Sequence, residues 1–484
     1  MTESTAVTDS IAPQSVLTFH DLTFVDEPGR PPLVGCHEVR HYVELDREGV
    51  LVVRMLSDQQ SIATVTNHFT NTLKRNVDVL DLARELAVRG FVAAVDDVAI
   101  SGPKVRRTHM PWVSQQRVAW LKHRRAWLVA LTVISLGVLS AVLVPGARTS
   151  RGDVSFFGRP EFDMPLVLAG MLINTYVHEL AHLFVARAHG VRGSIRFSTR
   201  LHIVVMETDV TNAWHLPRSA RLQIFLAGLA YNGMAWAIAT LLLTSHAIGA
   251  TMLAPTTLAG IRLFAAINLV PIGFQTLFWI RTDLYYVLAT LLGERNLRGD
   301  SFTYLIYRVR RTWLLWRSKD KLTCAPCGAR VHQKDPECMR CGHIRIHGAS
   351  FPPRRSRYRY VAYGAIVLVG VPLHNFPRQP RVFALQWNVM VRTFAATSRT
   401  LHAGTGIESA GMVFLTILSI SQLALITWLV GRLLLMAISR LPQLASQVAP
   451  GSKLPGLFRT SRLAIAIIIY IVVQGVVAGA SVSP

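Results

Sequence analysis

Residues 164–188 read MPLVLAGMLINTYVHELAHLFVARA, an apolar run interrupted at its centre by His178, Glu179 and His182. A helix needs roughly 20 apolar residues to cross the hydrocarbon core of a bilayer, and this run supplies them. Two imidazoles and a carboxylate are therefore carried to membrane depth, where ionisable groups are costly and usually line a cavity or a bundle interior. Residues four apart share one face of a helix, so His178 and His182 can turn two nitrogens toward one zinc ion with Glu179 beside it. In a straight helix His178, nine residues before Arg187, lies roughly 13 Å below the cytoplasmic boundary. The plain alternative is a histidine pair hydrogen-bonded inside a helix bundle.

The whole chain fits this frame. Its 484 residues are 51% hydrophobic and 16% charged, with a formal net charge of +23, a combination unusual for soluble enzymes. Runs of spanning length recur near 126–145, 164–187, 222–244, 255–280, 359–375, 410–437 and 461–482. The expected class is mainly α: a polytopic membrane helix bundle of about six or seven spans. Lysine and arginine concentrate at span ends, in LKHRRAW before the first run and in YRVRRTWLLWRSKDK and PPRRSRYRY. That placement predicts a multi-pass protein of the cell membrane with its N-terminus and the loops 188–221 and 281–358 on the cytoplasmic side. Anionic lipid explains the same charges, and nucleic acid is not expected as a partner. From the polar start MTESTAVTDSIAPQ no cleavable signal peptide is expected.

Residues 1–34 read as a disordered tail, 35–105 as a small α+β winged-helix domain, and 106–125 as a basic linker. HYVELD and GVLVVRML have strand-like apolar content around a turn at 47–49, followed by helical stretches near Gln59–Asn71 and Val77–Arg89 and then GFVAAVDD. This order resembles the peptide-recognition domain of ribosomal-peptide maturation systems, related to the peptide chaperone of pyrroloquinoline quinone synthesis. The resemblance implies that an edge strand such as 41–46 accepts a leader peptide as an added strand. A winged helix serving only as a scaffold is the alternative.

A second metal signal lies in CAPCGARVHQKDPECMRCGH, where Cys324, Cys327, Cys338 and Cys341 form two CxxC pairs separated by ten residues. Four thiolates make a closed tetrahedral site with no position left for water, so a structural zinc ribbon is expected within 306–358. Residues 359–484 read as C-terminal spans, and 376–409 carries no recognisable chemistry.

A hydrolytic zinc needs a third protein ligand and an open position. Asp283, after AINLVPIGFQTLFWIRT, is the best placed carboxylate, because Asn268 and Pro271 interrupt an apolar run and broken helices at membrane depth tend to line cavities. Glu207 and Asp209, in METDVTNAW, are alternative ligands, or cap a turn. The strand-like SIRFSTRLHIVV between them and the motif helix predicts a hairpin able to pair with an extended substrate.

Together, HELAHLFVARAHGVRG, METDVTNAWHLPRSARLQIFLAG, NLVP and TDLYYVL resemble, in this order, the site-two-protease class of membrane-embedded zinc metallopeptidases, specifically its branch of peptide zinc metalloproteases. The resemblance covers about residues 164–305 and implies a metallopeptidase core over 126–305. It further implies His178, His182 and Asp283 as zinc ligands, Glu179 as the base, and Asn268 as the residue that positions substrate or its oxyanion. Leu284 stands where the family has glycine, and Asn268 precedes Asp283 by fifteen positions instead of the shorter family spacing. The seven added residues amount to nearly two helical turns, which preserves facing. The expected function is a zinc-dependent endopeptidase that cleaves a peptide or small protein near the cytoplasmic face, as in leader removal. The alternatives are a regulatory intramembrane protease acting on a membrane-anchored substrate, and a non-catalytic protein of peptide binding, export or immunity.

Overall fold

The computed structural model describes residues 11–317, apart from 28–30, 37–38, 40, 73–76, 101–107, 201–202 and 278–279, together with 354–375 and scattered positions between 391 and 421. Cys324, Cys327, Cys338 and Cys341, and with them the expected ribbon, lie outside the described residues, as does the expected span 461–482. The chain divides into two compact units: 1–133 with 175–197 and 206–231, and 134–174 with 198–205 and 232–484.

In the first unit, strands β1 (Leu17–Phe19), β2 (Leu22–Val25), β3 (Leu33–Cys36) and β4 (His41–Glu44) precede helices α1 (Arg47–Ser57), α2 (Ile62–Asn67) and α3 (Val79–Val88). The hairpin β5 (Val92–Val95) and β6 (Val98–Ala99) follows. Strands β2, β3 and β4 form one antiparallel sheet in chain order, with Leu22 opposite Cys36 and Cys36 opposite His41. A second sheet has the order β1-β5-β6. Val52, Leu56, Ile62, Val65 and Phe69 meet Leu17 and Val92 in one core, and Val53, Leu86 and Phe91 pack on Val34 and Cys36 in another.

Two expectations are corrected. Residues 49–56, read as a strand, form most of α1: Asp46 accepts the Gly49 N–H at 2.6 Å, a side-chain cap that starts the helix. Gly49, Val52, Val53 and Leu56 are then buried at helical spacing, a period that the consecutive valines and leucines concealed. Nor is 1–34 simply a tail. It contains β1, β2 and the start of β3, because the backbone of β1 pairs with β5, as Leu17 does with Val95, a partner remote in sequence and invisible to local pattern.

Among the described residues, four helices are long and apolar enough to cross a membrane: α4 (Arg124–Leu143), α5 (Pro160–Ala188), α6 (Arg218–Ala247) and α7 (Pro255–Gln275). They follow the first four expected spans closely, and their outward Leu131, Val142 and Ile173 are more than half exposed, as suits a lipid-facing surface. Helices α8 (Asp283–Leu292), α9 (Leu297–Arg317) and α10 (Arg354–Asn375) follow in the second unit, and β7 (Ser194–Arg200) and β8 (Ile203–Asp209) form the expected hairpin. In the second unit α4 and α6 touch through small residues, for a Cβ on Gly137 would stand 2.4 Å from that of Ala237.

The linker is tied to the first unit by Arg187 at the end of α5, whose guanidinium donates to the carbonyls of His109, Met110 and Val113 at 2.7–3.1 Å. The β-domain is tied to it as well. Glu27 pairs with Arg221 at 2.9 Å, and the Arg221 side chain is only 3% exposed. Tyr42, whose phenol burial holds well above its ordinary pKa, donates to Asn212 Oδ1 at 3.4 Å. Removing one partner of a buried ion pair strands the other charge. We expect Glu27→Gln to lower the stability of this unit by about 2–3 kcal/mol, read as faster hydrogen exchange at β2 and at the start of α6 in the detergent-solubilised chain. Unchanged exchange at both would mean that Arg221 is satisfied without Glu27.

Candidate metal centre

Helix α5 carries His178, Glu179 and His182, each under 8% exposed. One turn apart, the two imidazoles bring their Nε2 atoms to 3.2 Å, with ring centroids 4.9 Å apart and planes at 70°. His182 Nδ1 lies 2.7 Å from the carbonyl oxygen of Ile224 on α6. A carbonyl only accepts, so Nδ1 carries the proton and Nε2 presents its lone pair. Two nitrogens at the bond length usual for zinc, held at a tetrahedral angle, stand roughly 3.3 Å apart. The observed separation fits that edge.

Space for an ion is built into α6. A Cβ placed on Gly228 would fall 2.3 Å from His178 Nε2 and 2.5 Å from His182 Nε2, the region toward which both nitrogens converge. Glycine within a helix costs about 1 kcal/mol relative to alanine, and here that loss keeps a side chain out of the gap. Gly228 is a site residue that the sequence reading missed; its signal was a glycine within an otherwise good spanning helix, legible only once the opposing face was known.

Glu179 is held from the hairpin. The Thr208 backbone N–H donates to Glu179 Oε2 at 2.7 Å, and the Thr208 hydroxyl donates to the Glu179 carbonyl at 2.9 Å. A carboxylate fixed by an N–H keeps its orientation while its second oxygen stays available to accept a proton. The neighbours of Thr208 are committed otherwise. Glu207 pairs with Arg196 across the hairpin at 2.9 Å, and Asp209 Oδ1 accepts the Thr211 N–H and hydroxyl at 3.2 and 2.6 Å, a local bond two residues along the chain. Of the two alternative ligands, one is therefore an ion-pair partner and the other accepts hydrogen bonds from Thr211.

In the second unit Asn268 is fully buried in a set of three asparagines. Asn232 Nδ2 donates to Asn174 Oδ1 at 3.2 Å and to Asn268 Oδ1 at 3.0 Å, joining α5, α6 and α7. Asn268 Nδ2 donates to the Phe264 carbonyl at 2.9 Å, and Asn174 Nδ2 to the Ile267 carbonyl at 3.2 Å. Asn268 thus binds helices together here, with its donor used within α7. No motif in the sequence marks Asn174 or Asn232 for this role.

Asp283 begins α8, with Thr282 at its N-cap. Gln275, at the end of α7, grips it twice: Gln275 Nε2 donates to Asp283 Oδ2 and the Asp283 N–H donates to Gln275 Oε1, both at 2.7 Å. The Thr282 hydroxyl adds a bond to the Gln275 carbonyl at 3.0 Å. The long spacing from Asn268 is consequently not two further helical turns. Helix α7 ends at Gln275, the chain bends with Arg281 at φ +51°, and a new helix starts at Asp283. Leu284 needs no special conformation, because it lies in the first turn of α8.

Neither family models, curated proteins nor solved structures match this chain.

Gly228→Ala tests the gap. It should lower the metal bound by the purified protein by about one ion per chain without reducing helix content. Full retention would show that the histidines do not direct an ion into that space.

Proposed function

We propose that the chain is a zinc-dependent membrane endopeptidase whose catalytic zinc is held by His178, His182 and Asp283. The observation that carries the reading is the pair of buried Nε2 atoms at 3.2 Å, one with its tautomer fixed by Ile224. Support for Asp283 comes from its place in the resemblance and from the Gln275 contacts, of the kind that orient ligating carboxylates. Zinc bound there supplies Lewis acidity toward a peptide carbonyl and a water molecule.

The protein's own groups do the rest. Glu179 takes the proton of the attacking water and delivers it to the departing amine nitrogen, so the scissile C–N bond breaks as a carboxylic acid and an amine form. Thr208 holds that carboxylate in place. The substrate must be extended, because a helical peptide hides its carbonyls in its own hydrogen bonds, and the hairpin β7–β8 offers strand edges beside Glu179 for such a segment.

The basic span ends favour a cytoplasmic N-terminus and cleavage near the cytoplasmic face. Leader removal from a ribosomally made peptide is favoured among the possible reactions by one further feature: β4 is an edge of its sheet, as the resemblance to peptide-recognition domains requires. A structural zinc on Cys324, Cys327, Cys338 and Cys341 completes the proposal.

Co-expression with a precursor peptide encoded nearby should yield cleaved peptide by mass spectrometry with the native chain, and intact precursor with Glu179→Gln. Cleavage that survives this substitution would exclude Glu179 as the base. Metal analysis should find about two zinc ions per chain, falling by one in His178→Ala and, separately, by one in Cys324→Ser. Loss on Cys324→Ser alone would mean that the histidine pair binds no metal.

A further inference from the structure

A cleft of about 380 Å³ opens on the N-terminal domain between α1 and β2, lined among others by Phe24, Asp26, Pro32, Arg47, Val50 and Arg54. Arg47 and Arg54 are seven residues apart on α1, so they lie nearly in line on one face and about 10 Å apart along the axis. Val50 stands between them, giving one wall the order cation, apolar, cation. The Arg54 guanidinium lies 4.9 Å from the centre of the Phe24 ring, a stacking that orients the cation and leaves its edge open to hydrogen bonding. Neither arginine is in an ion pair among the described residues.

The opposite wall is β2, an edge of the sheet β2-β3-β4. An extended chain rises about 3.3 Å per residue, so carboxylates two to four residues apart can reach both arginines while the residue between them rests on Val50, Phe24 and Pro32. Asp26, exposed within the cleft lining, repels a uniformly charged polyanion and tolerates separated carboxylates. From this arrangement we infer that the α1–β2 cleft binds an acidic peptide segment of the pattern acid, apolar, acid. The site is separate from the β4 edge and does not depend on the zinc reading, since binding requires no cleavage.

Fluorescence anisotropy on the full-length protein in detergent tests this with a short labelled peptide carrying Glu-Leu-x-Glu and a counterpart with glutamine for glutamate. The acidic peptide should bind about tenfold more tightly or better than its glutamine counterpart, with the preference shrinking as salt rises. Arg47→Glu combined with Arg54→Glu should abolish the preference, Asp26→Asn should strengthen it, and Arg89→Gln, elsewhere on the domain, should leave it unchanged. Arg47→Gln with Arg54→Gln replaces the charge reversal if that variant unfolds. Equal binding of the two peptides, no binding of either, or full preference without the two arginines overturns the proposal. So does a single-stranded oligonucleotide that binds with the same arginine dependence and displaces the peptide.

Discussion

The bond from His182 Nδ1–H to the Ile224 carbonyl, 2.7 Å long, is the constraint on which the centre rests. An imidazole in an apolar bundle can rotate and can carry its proton on either nitrogen, and either freedom would scatter the lone pairs that an ion needs. One carbonyl on the neighbouring helix removes both. One helical turn further along α6, Gly228 supplies the space in front of the nitrogens. A single stretch of α6 therefore fixes the direction of the donors and keeps clear the volume they address.

Polar groups in the second unit follow the same economy of satisfaction. An unpaired amide in an apolar interior costs several kcal/mol, yet Asn174, Asn232 and Asn268 are at most 5% exposed. Their amides cross-link three helices of spanning length. Hydrogen bonds of this kind, with small residues such as Gly137 and Ala237 in close contact, associate helices in a medium where apolar packing gains nothing over lipid. Asn174 stands one turn before His178 on α5.

The N-terminal domain is joined to the start of α6. Glu27 and Tyr42, on or beside its sheet, contact Arg221 and Asn212, and Arg221 also donates to the Trp214 carbonyl and stacks on its ring. Arg221 precedes Ile224 by less than one turn. The same helix therefore carries the anchor of the N-terminal domain in its first turn and the carbonyl that orients His182 in its second.

The sequence by itself determined the residue types and the helices that carry them: apolar runs mark the helices long enough to cross a membrane, and four-residue spacing puts His178 and His182 on one face, because both are properties of a single helix. It misread 49–56, since a run of β-branched and leucine residues fits a buried strand or helix equally until Asp46 caps it. Only the tertiary structure decided what those side chains do. The proton position on His182, the gap at Gly228, the hold of Thr208 on Glu179, the binding of Asn268 into a helix contact and the grip of Gln275 on Asp283 each depend on a partner brought near by folding. Sequence spacing carries no information about the carbonyl or amide that will stand opposite a side chain, and those opposite groups select among its possible roles.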